Sequence, residues 1–499
     1  MRFVRNSLLS TLLLASLPGI RAQQIRAQPT PPQAARTYTA AHQAELTRQF
    51  ADFLSIPNVA ADPASLRKNA EFLLAELKAR GANARLLTAP GLPATVPPLV
   101  WGEFRTPGAT RTIVFYAHYD GQPVTPSEWD TGAPFTPVVK QVDGEPRIYA
   151  RSAGDDKAAI FAQLTALSAL QAAHIPLKEN IRFVWEGEEE AGSGHLEQML
   201  MANRSLIEGD LWLVCDGPID QTRQQTVVFG ARGDAHLQIT VYGPAHPLHS
   251  GHYGNWAPNP AMILAQLLAG MKDASGHVLI PHFYDGIVPL GPIERQALAS
   301  APVNDERLRK EFELGHTDGD GKHLLELLNE PSLNINGISS GQTGAHATNS
   351  IPHTATVDLD LRLVVGVDGK TQQRRVVDYV RSQGFFVTET EPTRDELLNH
   401  AKVAFVQADG AEAASRTPMD LPIAADVIQA VKSARGKVIL IPTMGGTVPL
   451  EVMERAANTR TITVPIANHD DNQHAANENL RLQNLWDGIE TMAALIAMP

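Results

Sequence analysis

Five short polar clusters in the 499-residue chain carry the groups that metal-assisted hydrolysis needs. His118-Tyr119-Asp120 sets a carboxylate two residues beyond an imidazole. In an extended chain both face the same way, so Asp120 can fix the tautomer of His118 while the other ring nitrogen takes a cation. Asp155-Asp156-Lys157 stands at the start of the helical stretch KAAIFAQLTALSALQAA. Either Asp suits a helix N-cap, where its oxygen accepts an orphan backbone N–H. The same pair with Lys157 also offers one metal ligand and further groups to neutralise surplus charge. Glu186, Glu188, Glu189 and Glu190 crowd four carboxylates into five positions, and these repel unless cations or solvent compensate. There, one carboxylate can ligate metal while its neighbour takes a proton from an activated water. Asp216 precedes a Gly-Pro turn, and His469-Asp470-Asp471-Asn472-Gln473-His474 brings late imidazoles. Taken singly, these clusters read as a surface histidine, a cap, an acidic loop or a turn former. Taken together they form a nitrogen and oxygen donor set suited to paired Zn²⁺, Mn²⁺ or Co²⁺.

The elements that must position these groups are legible as apolar runs. TIVFYA (112–117), IRFVWE (181–186), DLWLVC (210–215) and TITVPI (461–466) are short and rich in β-branched or aromatic residues. They predict buried strands of a largely parallel sheet. His, Asp or Glu follows each within a few residues, at the strand ends where α/β sheets bind ligands. The helical stretch between the first two runs makes a βαβ unit. From 235 to 391 the pattern changes to strand AHLQITVYG, a helix, strands SLNINGI and TATVDLDLRLVVG, a helix, and strand FFVTETE. That order is the ferredoxin-like split arrangement. The expected architecture is therefore an α/β catalytic domain over 45–231 and 406–499, with a mainly parallel sheet, interrupted by an α+β module over 232–405. The stretch 275–330 fits the module poorly and reads as an insertion.

Net charge is −12, which argues against nucleic acid or an anionic membrane as the main partner. Arg2, Arg5, the apolar run from Ser7 to Leu17, then Pro18, Gly19 and Ala22 have the grammar of a signal peptide over 1–22. The run is too short to span a bilayer, so export to the periplasm or beyond is expected, with no stable membrane span after cleavage. Pro29, Pro31 and Pro32 lie in a stretch, 23–44, read as a flexible tether. Cys215 is the single cysteine, which excludes an intrachain disulfide and a cysteine metal site. Within LWLVC it reads as a buried small residue, not a nucleophile. Gly337-Ile338-Ser339-Ser340-Gly341 matches a serine-hydrolase pattern, but GQTGAHATNSIP is too polar to supply the helix that pattern requires.

In order, His118-Tyr119-Asp120, Asp155-Asp156-Lys157, Glu189-Glu190-Ala191-Gly192-Ser193, Asp216 and His474-x-x-Asn477-Glu478 resemble the motifs of the M20 metallopeptidases. That family holds carnosinase-like dipeptidases, glutamate carboxypeptidases and aminoacylases, and the likeness runs from about residue 45 to the C-terminus. Ala150 and Ala158 depart from glycines usual in the pattern. The resemblance implies two divalent metals per chain, zinc ahead of manganese or cobalt. Asp155 would bridge them, His118 and Asp216 would complete one site, and Glu190 and His474 the other. Glu189 is the implied general base, with Asp120 behind His118. Leu248-His249-Ser250-Gly251 is similar to a loop whose histidine, here His249, reaches a partner subunit's site to stabilise the oxyanion. The interrupting module would then be a lid and dimerisation domain, and the protein a homodimer. Arg362, Gly446 and Thr447 resemble residues that hold the substrate carboxylate. The implied reaction is hydrolysis of dipeptides or of C-terminal residues from short peptides. N-acyl-amino acids carry the same carboxylate and make deacylation the alternative. A periplasmic metal- or peptide-binding protein without catalysis is a third reading, which would not need Glu189 beside a ligand.

Overall fold

The computed structural model describes residues 28–499; the signal peptide expected over 1–22 lies outside them. Helix Pro31–Leu54 covers much of the expected tether. Prolines at a helix start lose only N–H groups that would be unpaired anyway, and Gln33 reaches back to accept from the Thr30 backbone N–H at 3.0 Å. Those prolines begin a helix instead of extending a linker.

An eight-stranded sheet forms the larger layer. Its middle consists of Asn180–Glu186, Thr112–His118, Leu211–Val214 and Thr461–Thr463, in that spatial order and all parallel. The four apolar runs are these strands. Alternation along Thr112–His118 sends Ile113, Phe115 and Ala117 to one face and Val114 and Tyr116 to the other. Helices Pro31–Leu54, Lys157–Ala172 and Leu482–Ile496 cover the first face, and Leu196–Ala202 with Leu450–Ala457 the second. Burial on both faces explains why these strands read as continuous apolar runs.

The second sheet has five strands in the order Ser332–Ser339, Thr354–Leu363, Gly233–Tyr242, Val403–Glu412, Phe386–Thr388. Ala235, Leu237, Ile239 and Val241 turn inward against helices Pro260–Ala269 and Gly369–Ser382. The ferredoxin-like strand order holds, with one correction. Its fourth place, antiparallel to Gly233–Tyr242, belongs to Val403–Glu412, while the expected strand FFVTETE supplies only Phe386–Thr388 at the outer edge. The boundary at 405 therefore falls inside a strand. The chain crosses between the sheets where Gly230–Ala231 pairs with Ser415–Arg416.

The insertion 275–330 has a structural task. Val278, Ile280 and Phe283 enter the core of the five-stranded sheet. Ala301 and Leu325 join Val228, Ile439 and Ile441 of the eight-stranded one. The segment is a strap laid across both sheets. No helix among the described residues is long and apolar enough to cross a membrane.

Candidate active site

His118 is the last residue of its strand, and the parallel register sets it beside Glu186. Its ring is fully buried, with Nε2 at 2.8 Å from Asp155 Oδ1 and 3.9 Å from Asp216 Oδ2. Nδ1 faces Asp120 Oδ1 at 3.4 Å. Asp120 has a second task that sequence reasoning missed: its two oxygens accept the backbone N–H groups of Glu189, at 3.1 Å, and Glu190, at 2.9 Å. One carboxylate thus orients both the imidazole and the acidic turn.

Asp155 turns its other oxygen the opposite way. Oδ2 lies 3.1 Å from His474 Nε2 and accepts from Gln473 Nε2 at 2.6 Å. His474 Nε2 in turn lies 3.2 Å from Glu190 Oε2. Ligand atoms of His118, Asp155 and Asp216 form one group, and those of Asp155, Glu190 and His474 a second, each within 4.8 Å. Asp155 is common to both.

Two expectations about the Asp155 turn need correction. Helix Lys157–Ala172 is capped at Asp156 without any side-chain cap bond, because the Asp156 carboxylate points back to accept the His118 backbone N–H at 3.2 Å. Asp155 stands one residue too early to cap and is steadied through its backbone. Lys157 does not offset the carboxylates either. Its buried ammonium donates to the carbonyls of Phe53, at 3.0 Å, and Ile56, at 2.8 Å, fastening the end of helix Pro31–Leu54 to this turn. Burial pushes its pKa well down.

Asn477 and Glu478 hold the turn and the late loop together. Glu478, fully buried, accepts from the backbone N–H of Gly154 at 2.9 Å, Asp155 at 3.0 Å and Ser152 at 2.8 Å, and from Arg151 Nη1 at 2.9 Å. Burial lifts its carboxyl to about 7 against the pull of Arg151. Asn477 Oδ1 accepts from the backbone N–H groups of Asp130 and Thr131 at 3.0 and 3.2 Å. Both residues stood in the sequence motif without a role, and their partners lie more than 300 positions away. Asn472, His474 and Asn477 take left-handed backbone angles, φ 59°, 63° and 62°, which let the loop double back between these contacts.

The donors suit a pair of divalent cations. Asp216 Oδ1 is buried with no partner, and burial followed by the nearby Asp155 charge lifts this carboxyl to about 7. Burial also raises Glu189 well above the carboxylate range. Hydrogen bonds to the carboxylates of Asp155 and then Glu190 raise His474 to about 10. These shifts describe too much buried negative charge for two imidazoles to balance, which is the deficit that dications offset.

A cavity of about 710 Å³ opens onto Asp155, Glu189, Asp216 and His474 and also onto Arg362, Gly446 and Thr447. Arg362 Nη1 donates to Thr447 Oγ1 at 2.9 Å, and Nε donates to Asp360 at 3.1 Å. This contact spans the two sheets, so residues 85 positions apart share one wall. His249 lies elsewhere. It is exposed, does not line the cavity, and accepts the Gly251 backbone N–H at Nδ1, 3.0 Å. Cys215 is buried and its thiol is pushed up by that burial. Ser339 ends an antiparallel edge strand and is followed by no helix of the kind its motif requires.

The model of the family "Peptidase family M20/M25/M40" matches residues 114–498. The chain is 25% identical over 468 residues to a Cys-Gly metallodipeptidase of Schizosaccharomyces pombe, covering 91% of this chain and 95% of that one. It is 26% identical over 525 residues to the Beta-Ala-His dipeptidase of Homo sapiens, covering 98% and 96%. The solved structure of an M20 family metallo-carboxypeptidase from Sulfolobus solfataricus superposes with a TM-score of 0.75 at 26% identity, over 91% of this chain and 99% of the other.

Proposed function

The chain belongs to peptidase family M20/M25/M40 and is a metallopeptidase, and from that premise we propose a two-metal dipeptidase. The observation that carries the reading is the single cavity in which Asp155 faces both donor groups while Arg362 and Thr447 stand across from them. His118 and Asp216 would hold one cation, Glu190 and His474 the other, and Asp155 both. Zinc is the first choice, with manganese or cobalt as alternatives. When bound, the cations supply Lewis acidity to a water molecule and to the scissile carbonyl.

Glu189 is the base. It lies at the cavity wall, its backbone held by Asp120, where it can take a proton from the attacking water and pass it to the leaving amine. Arg362 with Thr447 and Gly446 receives the substrate carboxylate, holding the amide in line for attack. His249 acts in a homodimer, where the partner subunit's His249 donates to the developing oxyanion. Tyr253 and Trp256, 42% and 79% exposed beside His249 in sequence, favour a protein contact on that loop. The N-terminal charge and apolar pattern supports export to the periplasm or the exterior.

The names of the relatives favour dipeptides over N-acyl-amino acids, although the carboxylate contact serves both. The chain loaded with Zn²⁺, Mn²⁺ or Co²⁺ in turn should cleave dipeptides faster than longer peptides or N-acyl-amino acids. Faster cleavage of the acyl series would replace this reading with deacylation, and no cleavage of any would favour a binding protein.

A further inference from the structure

We propose that the strap formed by 275–330 builds the subsite for the side chain of the carboxylate-bearing residue and selects apolar side chains there. This rests on the dipeptidase reading above, and it gives the insertion a role in recognition.

The cavity is lined by side chains of several kinds. They include the carboxylates and His474 of the donor groups and the Arg362–Thr447 contact. Val228, Ile441, Met444, Leu325 and Leu328 are among its apolar members, with Thr226 and Thr463 also in the lining. Leu325 and Leu328 come from the strap, and they are its only residues in the lining. Leu325 packs in the cluster that holds Val228 and Ile441, so its place is set by the larger sheet. Leu328 lies against the carboxylate-binding loop. A Cβ built on Gly445 would meet a Leu328 methyl at 3.2 Å, and Gly446 and Thr447 follow directly.

A substrate with its carboxylate at Arg362 and Thr447 and its amide at Glu189 and Asp155 has its C-terminal Cα between those two points. The leucines next to the carboxylate loop are then the surface that its side chain meets. The charges near this surface are two carboxylates and a guanidinium that is already engaged. Asp234 faces Arg362 at 3.7 Å, and Asp220 accepts the backbone N–H of Thr222 at 2.7 Å and its hydroxyl at 2.5 Å. An acidic side chain placed there would lose hydration without gaining a partner, whereas an aliphatic one would bury area against leucine and valine.

The test compares Gly-Leu, Gly-Gly and Gly-Glu, together with N-acetyl-leucine and N-acetyl-glutamate, using the metal-loaded full chain, Leu328→Ala and Leu328→Lys. Wild type should favour leucine over glycine or glutamate at the C-terminal position by roughly tenfold or more in kcat/KM. Leu328→Ala should narrow the preference for leucine several-fold. Leu328→Lys should move the leucine-to-glutamate ratio at least tenfold toward glutamate. Calorimetric binding of free leucine and glutamate should follow the same order without turnover, and thermal melts identify any variant that fails to fold. A folded Leu328→Lys whose ratio stays within twofold of wild type overturns the subsite, as does a wild type that prefers glutamate. Cleavage confined to the N-acetyl series overturns the dipeptidase reading but still reads the C-terminal preference. With no cleavage at all, that reading falls and the calorimetric order alone decides the subsite.

Discussion

The two halves of the candidate metal centre are built differently. His118 and Asp216 come from adjacent parallel strands, and their side chains are sealed, 0% and 10% exposed. Glu190 and His474 come from a short turn and a long loop; the Glu190 side chain is sealed as well, 3% exposed, but that of His474 is 53% exposed. Strand ends are placed by the sheet ladder itself. The loop is placed by side chains, namely Asn477, Glu478 and the Asp470 contacts to Arg147 and Arg481. The half fixed by strand ends should bind its cation tightly and exchange it slowly, and the half that depends on the exposed His474 and its hydrogen-bonded loop should exchange first. Asp155 alone belongs to both halves.

That shared membership gives the largest expected effect. Asp155→Ala should empty both halves and lower turnover on the order of 10⁴-fold; elemental analysis still showing about two metals per folded chain would break the bridging assignment. Glu189→Gln should lower kcat by roughly 10³-fold while metal content stays at the wild-type level, since this group takes a proton and holds no cation. Near-normal turnover in that variant would remove the base role.

Glu478→Gln tests whether the late loop depends on its clamp. Three backbone N–H groups of the 152–155 turn lose a charged acceptor, so chelator competition should show metal affinity down about 10- to 100-fold. An unchanged affinity would mean the turn holds its shape without the clamp. In wild type, a gradual chelator titration should remove the cation of the Glu190 and His474 half first, giving two steps about tenfold apart in chelator concentration. One step would erase the distinction between the halves.

The smallest effect is Asp470→Asn, at about 0.5–1 kcal/mol of stability, because the ion pair is partly exposed and screened. Burial opposes it, but Asn468, Arg481 and Arg147 hold the Asp470 carboxyl below its usual range. A depressed folded-state pKa contributes stability that is complete above the unfolded value near 3.9 and is lost as pH falls through the folded one. The difference between the melting curves of variant and wild type should therefore be full at neutral pH and shrink below about pH 4. A difference that persists at pH 2 would assign the effect to packing.

The half carried on strand ends was the more legible of the two in the sequence. A short apolar run predicts a strand wherever it lies, and strands of a parallel sheet deliver their next residues to one edge, so the placement of His118 and Asp216 at one sheet edge follows from local pattern, while their reading as ligands came from the order of the motifs. Glu190 and His474 could be named from motif order, but what holds them could not. The N-cap reading of Asp155 and Asp156 and the charge-balancing reading of Lys157 both relied on neighbours in sequence. The real partners, Glu478 for the turn and Phe53 and Ile56 for the lysine, are about 100 to 320 residues away. Proline composition suggested a tether where Pro31 in fact starts a helix, and FFVTETE was given the place that Val403–Glu412 occupies because both runs suit a strand equally well.

The sequence by itself determined which residues could do chemistry, which strands would carry them, and the class of reaction their donor atoms allow. Periodicity and residue type are local properties, and a β-ladder converts them into position. Only the tertiary structure decided that Asp120 and Glu478 act through backbone N–H groups, that Arg362 meets Thr447 across two sheets, and that the strap lays two leucines along the cavity. Each of these is a contact between segments far apart in the chain. Their pairing depends on how the two sheets pack, which no window of neighbouring residues contains.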